Sequence, residues 1–318
     1  MKKSFIALLL CLVWLEGATV FSPVLEIAVN GSTKDMVLRG NTLIIGTDSG
    51  VLQVYDHETK AFTKTIKLPK VKDFVGDMIP PRVFSVDKIE ERYLLISDSG
   101  KGGYSNLWIH ENNTSRKVLN HRDKLAAIKA RFITKEHILL GLLSNEAVLL
   151  DVESGKALFR VQLSESKFSD FALNEAKTQA VFACESGVLN VIDTKTGTIL
   201  QVLKGVNVDN VYKVDFKNGI VSGAGQDRRG ALYDVSTGKG TYIKGSFLIY
   251  ATGLSPSAKN VAFAMDEKNH ISIYRRTSKS KIAELQGQKS TLNTILFKNE
   301  NVLFSASDDN TVLMWKLP

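Results

Sequence analysis

The sequence predicts an all-β chain folded as a seven-bladed β-propeller, and three observations predict it. A pattern of two short apolar strands joined by a polar turn recurs seven times. The copies sit at a nearly constant spacing. Apolar and polar residues alternate within them, and no long segment beyond the extreme N-terminus shows the 3.6-residue period of a helix. The copies read LIIGTDSGVLQVYD (Leu43–Asp56), LLISDSGKGGYSNLWIHE (Leu94–Glu111), ILLGLLSNEAVLLD (Ile138–Asp151), AVFACESGVLNVID (Ala180–Asp193), IVSGAGQDRRGALYD (Ile220–Asp234), VAFAMDEKNHISIYR (Val261–Arg275) and VLFSASDDNTVLMWK (Val302–Lys316). Their second strands end at Tyr55, His110, Leu150, Ile192, Tyr233, Tyr274 and Trp315, which are 55, 40, 42, 41, 41 and 41 residues apart. A period of ~41 residues suits one four-stranded sheet per copy. Seven such sheets bury their faces against one another when arranged radially.

The chain opens with Lys2 and Lys3, an eleven-residue apolar run from Phe5 to Leu15, then Glu16 and the small residues Gly17 and Ala18. A basic start, a short apolar core and a small-residue end are the pattern of a secretory signal peptide. This predicts a signal over residues 1–18, a single propeller over 19–318, and a periplasmic protein with no membrane insertion once the signal is removed. Cleavage after Ala18 places Glu16 at the third position back, and cleavage after Gly17 places Leu15 there. Loss of residues 1–18 removes Lys2, Lys3 and Glu16, lowering the net charge from +8 to +7. It also removes Cys11 and leaves Cys184 without an internal disulfide partner, a cysteine usage that suits a bacterial periplasm. Cys184 ends the apolar run Ala180–Cys184 and reads as an inert core residue.

Next along the chain, Val24-Leu25-Glu26-Ile27-Ala28-Val29 alternates like a strand. The seventh copy reaches only its third strand before Pro318. Val24, Leu25, Ile27 and Val29 are therefore expected to supply the missing outer strand and close the ring, because an open last sheet would leave an unpaired edge. Turns such as Asp98-Ser99-Gly100, Glu153-Ser154-Gly155 and Thr196-Gly197 separate the strands.

Several copies resemble WD repeats beyond their period. SASDDNTVLMW (Ser305–Trp315) and SGAGQDRRGALYDVSTGK (Ser222–Lys239) resemble that family's second and third strands with the intervening Asp turn. LKGVNVDNVYKVDF (Leu203–Phe216) and LQGQKSTLNTILF (Leu285–Phe297) resemble its entry into the first strand. The resemblance covers roughly residues 22–318. It departs where the family often has Gly-His, whose imidazole bonds the turn Asp. Here Val206 and Gln288 follow the Gly, so that network is expected to be absent or altered, and Asp227 and Asp308 need other partners. Phe247–Tyr250, Gly253–Ser257, Gly287–Asn293 and Gly225–Arg229 also resemble NapL-type proteins, the WD-type accessory proteins encoded with periplasmic nitrate reductase in some epsilonproteobacteria. That resemblance implies a role in nitrate respiration, with nitrate reductase components as partners.

No catalytic or cofactor site is expected. His57, His110, His121, His137 and His270 fall in different repeats, with no pair at metal-ligand spacing. Nucleophile-elbow, phosphate-loop and haem-attachment motifs are missing. Gly187–Gly197 (GVLNVIDTKTG) also suits the repeats of quinone-dependent propeller dehydrogenases, but those are longer and Trp-rich, and this chain has 3 Trp. The positive charge does not indicate nucleic acid, since the Lys residues are scattered over all repeats.

Two excursions account for the 55-residue interval: Pro69–Pro81 (PKVKDFVGDMIPP) and Asp98–Ser105 (DSGKGGYS). Both are expected on one face of the ring, where long loops on a rigid scaffold concentrate binding residues. Lys70, Lys72, Phe74, Met78 and Ile79 in the first, Lys101 and Tyr104 in the second, and Arg228 and Arg229 in the turn of the fifth repeat are the candidate docking residues for an acidic or mixed-charge protein. The expected function is that of a monomeric, non-enzymatic scaffold or accessory factor of the nitrate-reducing system. A general envelope scaffold and a small-ligand or quinone-dependent propeller enzyme are the alternatives.

Overall fold

A computed structural model describes residues 18–318, and the signal peptide expected over residues 1–18 lies outside them but for Ala18. The chain forms a seven-bladed β-propeller, each blade built on four antiparallel strands. Blade one runs Thr33–Arg39, Thr42–Thr47, Val51–Asp56 and Ala61–Lys67 from the central channel outward. The first strands of the remaining blades are Val83–Ile89, Ala127–Phe132, Phe168–Leu173, Val211–Lys217, Ala251–Leu254 and Leu292–Phe297.

Burial explains the composition of each strand. The second strand of every blade has neighbours on both faces, so it reads as a continuous apolar run such as Leu43-Ile44-Ile45 or Ala180-Val181-Phe182, all fully buried. The outermost strand faces water, so Ala61–Lys67 is largely exposed except at Ile66. The core is divided into seven apolar clusters, each spanning two neighbouring blades. One joins Ile44, Val54 and Ile66 of blade one to Val86, Leu95 and Trp108 of blade two. Close approach between blades demands small residues at some contacts. A Cβ added at Gly141 in blade three would stand 2.5 Å from the Phe168 ring of blade four.

Blade seven is closed as the sequence predicts. Leu25–Ala28 pairs antiparallel with Thr311–Lys316, Leu25 opposite Met314 and Ile27 opposite Val312. The Val24 and Val29 amides extend the ladder onto the Met314 and Asn310 carbonyls, each at 2.8 Å. Ile27 and Val29 are buried in the cluster that joins Phe304 and Val312 of blade seven to Met36 and Leu43 of blade one. One addition was not expected. Thr19–Phe21 runs parallel to Lys281–Leu285 as a fifth strand on blade six, and the Phe21 carbonyl accepts the Gln286 amide at 2.9 Å. The first dozen described residues thus lace blade six to blade seven.

The altered hydrogen-bond network is resolved in blade seven. Trp315 Nε1 donates to Ser305 Oγ at 2.9 Å, and Ser305 Oγ donates to Gln288 Oε1 at 2.7 Å. Gln288 Nε2 then donates to Ser307 Oγ at 2.6 Å. Gln288 stands where the WD pattern has His, with an amide that accepts at one end and donates at the other. In blade five, Asp227 instead accepts from Asn207 Nδ2 at 3.1 Å and the Val208 amide at 2.8 Å. Asp308 pairs with Lys34 of blade one at 3.1 Å.

Candidate functional site

The Pro69–Pro81 excursion is a small hairpin. Val71–Lys72 and Met78–Ile79 pair antiparallel, Val71 opposite Ile79 and Lys72 opposite Met78. Asp73 shapes the turn: its Oδ1 accepts from the amides of Val75, Gly76 and Asp77 at 3.0, 2.8 and 2.8 Å, and its own amide donates to the Asp77 carbonyl at 2.9 Å. A short side chain that hydrogen-bonds backbone amides ahead of it competes with regular strand and fixes a turn. The carboxylate is thereby committed to its own loop. The base is fixed as well, since the buried Pro81 ring lies 3.0 Å from where a Gly50 Cβ would be.

This rigid turn holds apolar side chains in water. Phe74 is 101% exposed, Val75 74%, Met78 51% and Ile79 39%. Lys70 and Lys72 flank them, both exposed. The Asp98–Ser105 excursion of blade two packs against the hairpin: a Cβ at Gly100 would stand 2.2 Å from the Lys72 carbonyl oxygen and 3.0 Å from Val71 Cβ. Gly100 has φ +70°, so it serves both the turn and the contact. Lys101 is exposed beside it, and the Tyr104 amide donates to the Lys101 carbonyl at 3.1 Å. Seven of the sequence-derived candidates therefore gather at one place: Lys70, Lys72, Phe74, Met78, Ile79, Lys101 and Tyr104.

Arg228 and Arg229 do not join them. Blade five lies across the ring from the junction of blades one and two, more than three blades away in either direction. Arg229 is also occupied, donating to the Val206 carbonyl at 2.8 Å and stacking over the Tyr242 ring at 4.9 Å. Arg228, at φ +64° in the turn, stays exposed. The expected single surface thus divides, because adjacency in a list of loops says nothing about angular position around a ring.

A second set of functional groups lines the central channel, a cavity of about 300 Å³. Sequence reasoning missed it. In six blades the first strand carries a bulge at its second residue, and the following residue is Asp35, Ser85, Lys129, Asp170, Lys213 or Thr294. Bulges re-aim side chains, and all of these except Ser85 line the cavity. Carboxylates stitch neighbouring blades together by accepting first-strand amides. Asp35 accepts Val86 N at 2.9 Å, Asp87 accepts Phe132 N at 2.9 Å, Asp170 accepts Val214 N at 3.1 Å and Asp215 accepts Leu254 N at 2.8 Å.

Four of the six cations that line the cavity are matched to these carboxylates. Arg131 grips Asp35 with two nitrogens, at 2.8 and 2.9 Å, and also donates to Ser85 Oγ at 2.8 Å. Arg39 pairs with the fully buried Asp87, and Lys129 with Asp170. Lys217 leans on Asp215 at 3.8 Å, and Lys177 donates to the Phe132 carbonyl at 2.9 Å. Burial alone would raise the Asp35 carboxyl, but the Arg131 charge and hydrogen bonds, with Lys129 and Lys213 behind them, hold it far below the usual carboxylate range. Burial pushes the Lys129 ammonium down against the pull of Asp170, and the charges of Arg131 and Lys213 push the same way. Lys213 makes no ion pair or side-chain hydrogen bond among the described residues. The signal for this channel was present as charged residues inside otherwise apolar first strands, as in Lys129-Ala130-Arg131 and Lys213-Val214-Asp215.

Cys184 is buried, with Sγ 3.1 Å from Ser186 Oγ. His270, partly buried, contacts Asp266 at 3.0 Å and Glu284 at 3.4 Å on the outer part of blade six. Set beside models of known protein families the chain matches none, and set beside curated proteins it matches none either; the structure shows a seven-bladed propeller.

Proposed function

We propose that the protein is a non-enzymatic interaction scaffold of the bacterial periplasm, docking a protein partner through the hairpin between blades one and two. The observation that carries this reading is the fully exposed Phe74, with Val75, Met78 and Ile79, on a turn locked by Asp73. Exposed aromatic and aliphatic groups on a rigid support lose little conformational freedom on binding and make effective anchors. Lys70, Lys72 and Lys101 around them favour an acidic or mixed-charge surface and would speed encounter with it. A propeller fits this task because its blades hold loops in fixed positions while the loops themselves vary.

The narrower reading makes that partner a component of the periplasmic nitrate-reducing system. Its support is the likeness of Phe247–Tyr250, Gly253–Ser257, Gly287–Asn293 and Gly225–Arg229 to the NapL-type accessory proteins. The test is affinity purification from the native periplasm under nitrate-respiring conditions, followed by mass spectrometry. The wild-type chain is compared with a Phe74→Glu/Lys70→Glu/Lys72→Glu variant. Partner recovery that falls at least ~10-fold in the variant supports the docking site. Equal recovery refutes it, and a partner set without nitrate reductase components removes the narrower reading alone.

A further inference from the structure

We propose that the central channel is a binding site for a small oxyanion, such as a phosphate or a short dicarboxylate, held by the Lys213 ammonium. The argument rests on charge matching within one cavity. Six cationic and four carboxylate side chains line the cavity of about 300 Å³. The carboxylates are already engaged: Asp35 by Arg131, Asp170 by Lys129 and the Val214 amide, Asp215 by the Leu254 and Phe216 amides, and Glu175 by the Asn218 amide at 2.8 Å. Among the described residues none of them stands within ion-pair distance of Lys213. Lys213 lines the same cavity as Asp35 and Lys129.

A bulge at Tyr212 aims Lys213 into the channel, and the matching bulge at Asn293 aims Thr294 there. The Thr294 hydroxyl has no hydrogen-bond partner among the described residues. One ammonium and one free hydroxyl facing a polar cavity present donors without acceptors, and an oxyanion supplies acceptors and negative charge together. The low polarisability of the surrounding blades strengthens that attraction relative to open water. A phosphate or a short dicarboxylate fits within a cavity of about 300 Å³.

The test uses the whole mature chain. Thermal unfolding and isothermal titration calorimetry are run with inorganic phosphate and, separately, with malonate, against sodium chloride at matched ionic strength. Wild type should show a saturable Tm rise of about 3 °C or more and one binding site per chain. Lys213→Met should lose that rise and weaken binding at least ~10-fold, while the exposed control Lys239→Met keeps it. Because Lys213→Met removes an unmatched charge, its Tm in chloride should equal or exceed that of wild type, which separates loss of binding from loss of fold. A larger effect of phosphate or of malonate tells the two oxyanion classes apart. The proposal is overturned if neither anion exceeds chloride, or if Lys213→Met responds as wild type does.

Discussion

Replacing Ile27 by Ala tests ring closure directly. Ile27 is 2% exposed and sits in the cluster shared by Phe304 and Val312 of blade seven and Met36 and Leu43 of blade one. The change deletes three carbon atoms from that junction. At about 0.8 kcal/mol per buried methylene the transfer loss is about 2.4 kcal/mol. The Leu25–Ala28 strand is held by its ladder to Thr311–Lys316, so the gap will not collapse fully, and the cavity raises the cost to about 3–4 kcal/mol. Urea unfolding followed by tryptophan fluorescence reads the loss, with Trp315, on the strand that pairs with Leu25–Ala28, as reporter. Hydrogen exchange adds location: protection should fall first at the amides of Thr311–Lys316 and Leu25–Ala28. Val24→Ala, in the same segment but 57% exposed, is the control and should cost less than about 0.5 kcal/mol. If Ile27→Ala costs under about 1 kcal/mol and leaves exchange at 311–316 unchanged, the closing strand does not stabilise the ring and the reasoning fails.

Asp35→Ala should destabilise by about 3–5 kcal/mol, measured by urea unfolding, because it leaves Arg131 buried without a counter-charge. The Asp35 carboxyl is depressed in the fold, so its contribution is fully present above the unfolded value near 3.8 and is lost only as pH falls through its much lower folded value. The stability difference between wild type and Asp35→Asn should accordingly persist at pH 5 and shrink below it. Gln288→Leu should cost about 1–3 kcal/mol by leaving Ser305 and Ser307 short of partners, while Gln288→His, which keeps an acceptor and a donor, should cost less. Phe74→Glu should leave the unfolding midpoint within about 0.5 kcal/mol of wild type, since the ring is fully exposed; a larger drop would mean that the hairpin tip is part of the fold rather than an exposed anchor.

The sequence by itself determined the repeat unit, the number of blades and the closing strand. All three depend on period-2 alternation and on spacing, which are local properties legible along one dimension. It also located the unusual loops, since the 55-residue interval between Tyr55 and His110 stands out against 40 to 42 elsewhere. The structure decided what those loops meet. Gly100 against Lys72 joins the excursions into one surface, while Arg228 and Arg229 fall across the ring. The fifth strand at Thr19–Phe21 was likewise hidden, because three residues carry too little alternation to declare a partner. The channel network is the clearest case. Asp35 and Arg131 lie 96 residues apart, yet their oxygens and nitrogens meet at 2.8 and 2.9 Å. Radial packing turns seven distant first strands into neighbours around a single axis. A charge that looks misplaced inside one strand finds its counter-charge only there, where closure of the ring brings the strands face to face.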